Sequence, residues 1–447
     1  MDAEDAGART NIGTSPWYRL TLATAAAAAP LVALASDKIR RGIAGRRGLL
    51  QRMGVWGSTH RDRSRPLVWF HAPSVGEGLQ AKPVIERLRV ERPDWQIAYT
   101  FFSPSAASFA RQLPVDYADY LPFDRPRDVV HALEALAPTA LVYGKLDVWP
   151  ELTLAARRRG VRTGLVAATV APQSSRLAWP VRGWAAPAYA ALECVGAIAT
   201  EDAERLEQLG ARTEAISVTG DTRYDSVTER AAHLDRTRAP FAALALGSWT
   251  FTIVAGSTWP SDDAVLLPAF ADLLRHDPVA PIRLVLVPHE PTASHLDRLD
   301  AAAQAAALPR PVRTSGGAAL AAAPVVVVDQ IGVLADLYAL AHAAYVGGGF
   351  HRAGLHSVLE PAVWSVPISV GPRWGASRDA GLLIGRGGAL PLPHEGQEAL
   401  ARQWQAWRTD ATARDRAGRA AAAVVKEGAG AAERTTALVR LLVESGG

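Results

Sequence analysis

The sequence predicts an α/β protein of two domains, each built on a parallel sheet with helices on both faces. Two observations carry this. From residue 66 onward, short apolar runs alternate with helical segments, the pattern of parallel strands buried on both sides. The alternation stops near residue 228 and resumes near 252, and a chain of 447 residues is too long for one compact core. Apolar residues at 49% and charged residues at 21% make the protein globular and not disordered.

In the first half, Leu67 to His71, Ile97 to Phe102, Ala140 to Tyr143, Thr163 to Ala168, Val195 to Ala199 and Ala215 to Thr219 read as strands. Pro150 suits a first helical turn, and Thr200, Glu201 and Asp202 open a helix ending at Gly210. Thr228 to Ser248 reads as the domain connection. Strands then resume at Thr252 to Gly256, Leu284 to Val287, Val325 to Val328, Ala343 to Val346 and Ile368 to Val370. The expected divisions are 1–45, 46–235 and 236–447. Ligands are expected at the carboxyl ends of the strands, in a cleft faced by both domains.

The N-terminal segment is different. Leu20 to Ala35 is uncharged, alanine-rich and interrupted by Pro30, and it is shorter than the roughly 20 residues a spanning helix needs. Lys38 to Arg65 then holds nine Lys/Arg residues and one acid, Asp62. An apolar patch with a basic flank reads as a marginal span or an interfacial anchor on anionic lipid. A flexible Ala-rich leader and a solvated basic face are the alternatives. The segment holds no motif residue, so the remainder is expected to fold without it. A lone cysteine, Cys194, excludes an internal disulfide and a cysteine-based zinc site, and reads as a small buried apolar residue.

Polar motifs recur at strand ends. His71-Ala72-Pro73-Ser74-Val75-Gly76-Glu77-Gly78 runs from a strand through a small-residue loop into a helix. Glu77 there suits a general base toward a sugar hydroxyl, or a helix cap. Lys145-Leu146-Asp147-Val148-Trp149-Pro150 alternates a cation and an acid about an expected buried Leu, so both are expected to point the same way, or to form a local ion pair. In Gly220-Asp221-Thr222-Arg223, Arg223 is a cation suited to phosphate or carboxylate. The second half offers Ser257 and Thr258 after one strand and His289-Glu290 after another. The run Gly347-Gly348-Gly349 to Pro361 reads as a glycine loop feeding a helix N-terminus, a ready anion site, with Glu360 placed for a ribose diol. No P-loop and no D-x-D pattern at a strand end occurs, so no metal is expected.

Taken together and in this order, from about residue 50 to about 395, these motifs resemble those of the 3-deoxy-D-manno-octulosonic acid (Kdo) transferases of lipopolysaccharide assembly. The hallmark HA-x-SVGE stands as His71 to Glu77. The resemblance implies a GT-B fold, two Rossmann-like domains facing a central cleft. It also implies transfer of Kdo from CMP-Kdo to a lipid A precursor, with inversion, no metal and no cofactor.

On this resemblance the residues take roles. Glu77 falls on the base, with Asp147 and Arg223 beside it in the catalytic set. Substrate and nucleotide contacts fall on Ser74, Gly76, Lys145, Ser257, Thr258, His289, Glu290, Ile331, Gly332, Val333, His356, Ser357, Val358, Leu359 and Glu360. The 46–235 domain would bind the acceptor and the 236–447 domain the CMP-sugar. Residues 1–45 would hold the enzyme on the anionic cytoplasmic face of the inner membrane, with no nucleic-acid partner. Several positions depart from the family pattern. KLDVWP replaces ETELWP, GDTR a GNLK-type segment, HSVLEP the usual HNPLEP, and His289-Glu290 an Arg-His pair. These departures leave open the residue roles, another GT-B nucleotide-sugar enzyme (a UDP-sugar transferase or epimerase), and a non-catalytic membrane-bound sensor.

Overall fold

The computed structural model describes residues 14–277, 279–316 and 320–445, and the chain divides into two compact units. One is Met1–Asp225 with Ala429–Gly447, the other Ser226–Gly428.

The first unit holds β1 (Leu67–His71), β2 (Gln96–Phe101), β3 (Tyr117–Tyr120), β4 (Ala140–Gly144), β5 (Arg162–Ala168), β6 (Cys194–Ala197) and β7 (Ile216–Val218). All pair in parallel, in the order β3-β2-β1-β4-β5-β6-β7. The second unit holds β8 (Phe251–Thr258), β9 (Ile282–Pro288), β10 (Val312–Arg313), β11 (Val325–Val327), β12 (Ala343–Val346), β13 (Ile368–Val370) and β14 (Ala389–Pro391). Their order is β10-β11-β9-β8-β12-β13-β14, again parallel. Each sheet is thus a doubly wound Rossmann-type sheet, as the alternation predicts. Its central strands are buried on both faces: in the first unit Trp69 and Tyr143 belong to one core cluster and Tyr99 to another, and in the second unit Phe251, Phe270 and Tyr345 share a core. The strands that the apolar runs do not reveal are β3, β10 and β14, and each lies at a sheet edge, where a short strand needs no apolar run.

Six helices matter below: α1 (Pro16–Ala35), α2 (Val75–Glu91), α3 (Pro150–Arg158), α4 (Pro260–His276), α5 (Ala293–Ala305) and α6 (Ala431–Glu444). The boundary expected at 235/236 falls at Asp225/Ser226, and α6 returns to the first unit instead of completing the second. Asp225 caps it, accepting the Gly430 N–H at 2.7 Å and the Ala432 N–H at 2.9 Å. Val439, Leu442 and Val443 of α6 join the core between the first sheet and α2.

Residues 1–13 of the expected anchor lie outside the described residues. α1 is continuous through Pro30, and its Trp17, Leu20, Leu31, Val32 and Leu34 are exposed. Among the described residues no helix is long and apolar enough to cross a membrane. The segment is not a bystander, however. The Tyr18 hydroxyl donates to Asp124 at 2.7 Å, and Asp124 in turn accepts the Glu151 and Leu152 N–H groups that open α3. Glu151, its side chain only 3% exposed, accepts from Thr14 and from Arg19. The N-terminus therefore satisfies a buried carboxylate, which no sequence pattern announced. Parts of the basic flank are structural too. Arg46 lies over the Phe102 and Tyr120 rings and donates to two backbone carbonyls beyond its own helix, and Arg52 pairs with Asp119.

Candidate functional site

Ligands of a doubly wound sheet collect beyond the carboxyl ends of the strands where the strand order reverses. In the first sheet that point lies between β1 and β4. β1 ends at His71, Ser74 is the residue before α2, and Glu77 stands in the first turn of that helix, with Gly76 exposed beside it. The Ser74 hydroxyl donates to Glu77 Oε2, and Lys145 Nζ lies 3.3 Å from Oε1. Burial pushes the Glu77 carboxyl up, but the Ser74 hydroxyl and the Lys145 ammonium outweigh it and the net shift is downward. Glu77 is a carboxylate at neutral pH, able to take a proton. A Cβ on Gly78 would come within 2.5 Å of the Phe109 ring and 2.7 Å of the Tyr99 hydroxyl, so glycine lets the helix start pack this closely.

Lys145 and Asp147 do not point the same way. β4 stops at Gly144, Leu146 is only partly buried, and Lys145 has φ 64°, in the left-handed region. Strand alternation ends before either side chain. Lys145 turns to Glu77. Asp147 accepts the Trp149 indole N–H at 2.9 Å and lies 3.2 Å from His71 Nε2 and 3.3 Å from Arg176 Nη2. Burial pushes the Asp147 carboxyl up, yet His71, Arg176 and Trp149 together hold it below the usual range. Asp147 fixes Trp149, whose ring stacks on Phe102 at 5.4 Å. Arg223 is tied to buried Asp221, with Nη2 2.6 Å from Oδ2, so its charge is partly compensated within the protein.

In the second sheet the order reverses between β8 and β12. Ser257 has φ 54° and is half-buried, Thr258 is buried, and Trp259 follows. The Trp259 ring stacks on His351 at 4.0 Å and lies 4.8 Å from His289, which is 4.4 Å from His356. Burial, then the neighbouring imidazoles, pushes His356 down, so its Nε2 accepts the Trp259 indole N–H at 3.1 Å. His289 and Glu290 are exposed, as are Ser357 and Ile331. Val333, Val358 and Leu359 are buried, and the Gly332 carbonyl accepts from Arg230 at 3.0 Å.

The glycine loop does not feed a helix directly. Residues 347–350 form a turn, a second turn and an irregular stretch follow, and the next helix is one turn, Leu359–Ala362. The Gly348 N–H, at φ 93°, donates to Asp262 at 2.9 Å, and the Phe350 N–H does so at 3.4 Å. The anion those amides bind is the protein's own carboxylate, which removes much of the expected phosphate cradle. Glu360 is half-buried, burial raises its pKa, and it accepts no hydrogen bond among the described residues. Trp149, Trp259 and His351 stand inside the strand-end motifs of the sequence, which gave them no role of their own, whereas Arg176, Asp262 and His295 lie outside every motif.

Comparison with known proteins gives the family and the fold. The family model of 3-deoxy-D-manno-octulosonic-acid transferase (kdotransferase) matches residues 47–226. The 3-deoxy-D-manno-octulosonic acid transferase of Bordetella pertussis is 32% identical over 350 residues, covering 73% of this chain and 76% of that protein. That of Chlamydia trachomatis serovar A is 28% identical over 313 residues, covering 69% and 70%. The fold is shared with UDP-GlcNAc 2-epimerase from Neisseria meningitidis, with TM-score 0.54 and 13% identity over 81% of this chain and 98% of that one. Two doubly wound parallel sheets of the GT-B type, the HA-x-SVGE turn and a relative of this identity over this span lead to one conclusion: the chain belongs to the Kdo transferase family.

Proposed function

We propose that this protein transfers Kdo from CMP-Kdo to a lipid A precursor, inverting the ketosidic carbon, during lipopolysaccharide assembly at the cytoplasmic face of the inner membrane. The observation that carries the reading is the ionised Glu77 at the β1–β4 reversal, held between Ser74 and Lys145. An acceptor hydroxyl attacks the ketosidic carbon and gives its proton to Glu77, while the bond from that carbon to the phosphate oxygen breaks and CMP leaves. An anionic substrate group that drew Lys145 away would raise the proton affinity of Glu77 as the substrate arrives. Asp147 acts through Trp149 and His71, and Arg223 is a cation for substrate charge. In the second unit the half-buried Glu360 carboxyl suits a ribose diol, His289 and His356 suit the nucleotide, and Val358 and Leu359 have only backbone to offer. The exposed apolar side chains of α1 beside exposed Lys38 and Arg47 support membrane seating. The test is incubation with CMP-Kdo and a tetra-acylated lipid A precursor, reading product masses. A gain of whole Kdo residues supports the proposal; no product from folded protein, or use of a UDP-sugar instead, ends it.

A further inference from the structure

α4 opens with two successive carboxylates, Asp262 and Asp263, at the second strand-order reversal, and both are buried. Asp262 Oδ2 accepts the Trp259 and Gly348 backbone N–H groups, each at 2.9 Å, and Oδ1 accepts the Tyr345 hydroxyl at 2.7 Å and the Phe350 backbone N–H at 3.4 Å. One side chain thus joins the start of α4, β12 and the glycine loop. Asp263 Oδ2 lies 2.7 Å from His295 Nε2, and His295 Nδ1 lies 3.2 Å from the Glu290 carbonyl oxygen. A carbonyl only accepts, so Nδ1 carries a proton, and an ionised Asp263 requires one on Nε2 as well. With Asp263 ionised, both bonds together need the imidazolium; burial pushes the Asp263 carboxyl up, and the His295 hydrogen bond opposes that shift without cancelling it. The hydrogen bond to Asp263 raises the His295 pKa against its burial, Asp262 stands next to that carboxylate, and Arg298 on α5 opposes the charge.

We propose that Asp262, Asp263 and His295 are positioning residues of the donor site: Asp262 fixes Trp259 and the glycine loop, and Asp263 acting through His295 fixes the His289–Glu290 turn. The proposal rests on the donor reading above for its ligand, but not for its mechanics. A buried anion with several donors orders backbone strongly, because each N–H loses its partner if the carboxylate goes. Loss of the His295 proton removes one of its two bonds, so the turn loosens as pH rises through the raised His295 pKa.

The experiment uses the full chain and CMP alone as the probe. CMP affinity is measured by calorimetry across pH for the parent, Asp263→Asn, His295→Gln and the double variant. Amide exchange without nucleotide is followed at 289–292 and 348–350, with Asp262→Asn included. Each single change in the relay should weaken CMP binding about tenfold at pH below the His295 titration. The double variant should lose no more than either single one, and His295→Gln should have a flatter pH dependence than the parent. Exchange should quicken at 289–292 in His295→Gln and at 348–350 in Asp262→Asn. Unchanged exchange there, or parental CMP affinity in His295→Gln, overturns the proposal. If the parent itself does not bind CMP, the donor reading fails, and exchange at 289–292 alone decides the relay.

Discussion

Lys145 Nζ reaches within 3.3 Å of Glu77 Oε1 from a backbone at φ 64°, a conformation that side chains other than glycine adopt only when the surroundings impose it. The Lys145 N–H donates to the Val166 carbonyl at 2.8 Å, which pins the turn just past β4. The contact joins the two strands at which the sheet reverses, and after the Ser74 hydroxyl it helps hold the carboxyl of the proposed base below its ordinary range. The left-handed turn at Lys145 is therefore one of the features that favour the ionised base.

Glu77→Gln should abolish transfer while leaving CMP binding nearly intact. An amide keeps the shape of the first turn but cannot take the acceptor proton, and loss of a general base costs about 10²–10⁴-fold in rate. Paired turnover and calorimetry check this. Activity within a few-fold of the parent would remove Glu77 from the base role.

Lys145→Met should move the acid limb of the kcat/KM profile to higher pH. The ammonium helps hold the Glu77 carboxyl below its ordinary value, against burial. Without it the pKa rises, and protonation inactivates the base at a pH where the parent still works. A limb that stays in place would mean that the ion pair does not set the ionisation of Glu77.

A chelator should leave the rate unchanged. The leaving group carries a single phosphate, and the sequence has no D-x-D at a strand end to hold a divalent ion for it. Loss of turnover in EDTA with recovery on Mg²⁺ would show that a metal takes part.

The β1 site was legible because strand, turn and helix follow one another without interruption, and each residue from His71 to Glu77 sits where that local order puts it. Lys145 was misjudged because alternation presumes an extended backbone, and nothing in a Lys-Leu-Asp run announces a left-handed residue. The glycine loop was misjudged for another reason. Its amides looked free, and the carboxylate that takes them lies far away in sequence, at Asp262. The return of α6 to the first unit was hidden likewise, since its apolar stripe of Val439, Leu442 and Val443 would suit either sheet. Pattern reveals what is local; partners brought in by the topology stay hidden.

The N-terminal segment separates two roles that truncation would confuse. Replacing Leu20, Leu31 and Leu34 with serine removes apolar side chains that are 53%, 72% and 84% exposed and leaves Thr14, Tyr18 and Arg19 in place. This variant should keep its thermal midpoint and lose binding to anionic vesicles, retaining a salt-sensitive remainder. Exposed Lys38, Arg40, Arg41 and Arg47 would supply that remainder at about 1 kcal/mol each at most, and less for Arg40 and Arg41, which pair with Asp37. Deleting residues 1–36 should do more. Among the described residues Glu151 would lose Thr14 and Arg19 and keep Arg158, 3.5 Å away, and Asp124 would lose the Tyr18 hydroxyl. Stripping partners from a buried carboxylate costs about 1–3 kcal/mol, so the truncated protein should melt earlier even in detergent. Glu151→Gln in the truncated background should recover part of that loss, because it removes the charge left without partners. If truncation leaves the midpoint unchanged, the Arg19–Glu151 contact contributes nothing to stability. If the serine variant binds vesicles as the parent does, the exposed face of α1 is not a membrane contact.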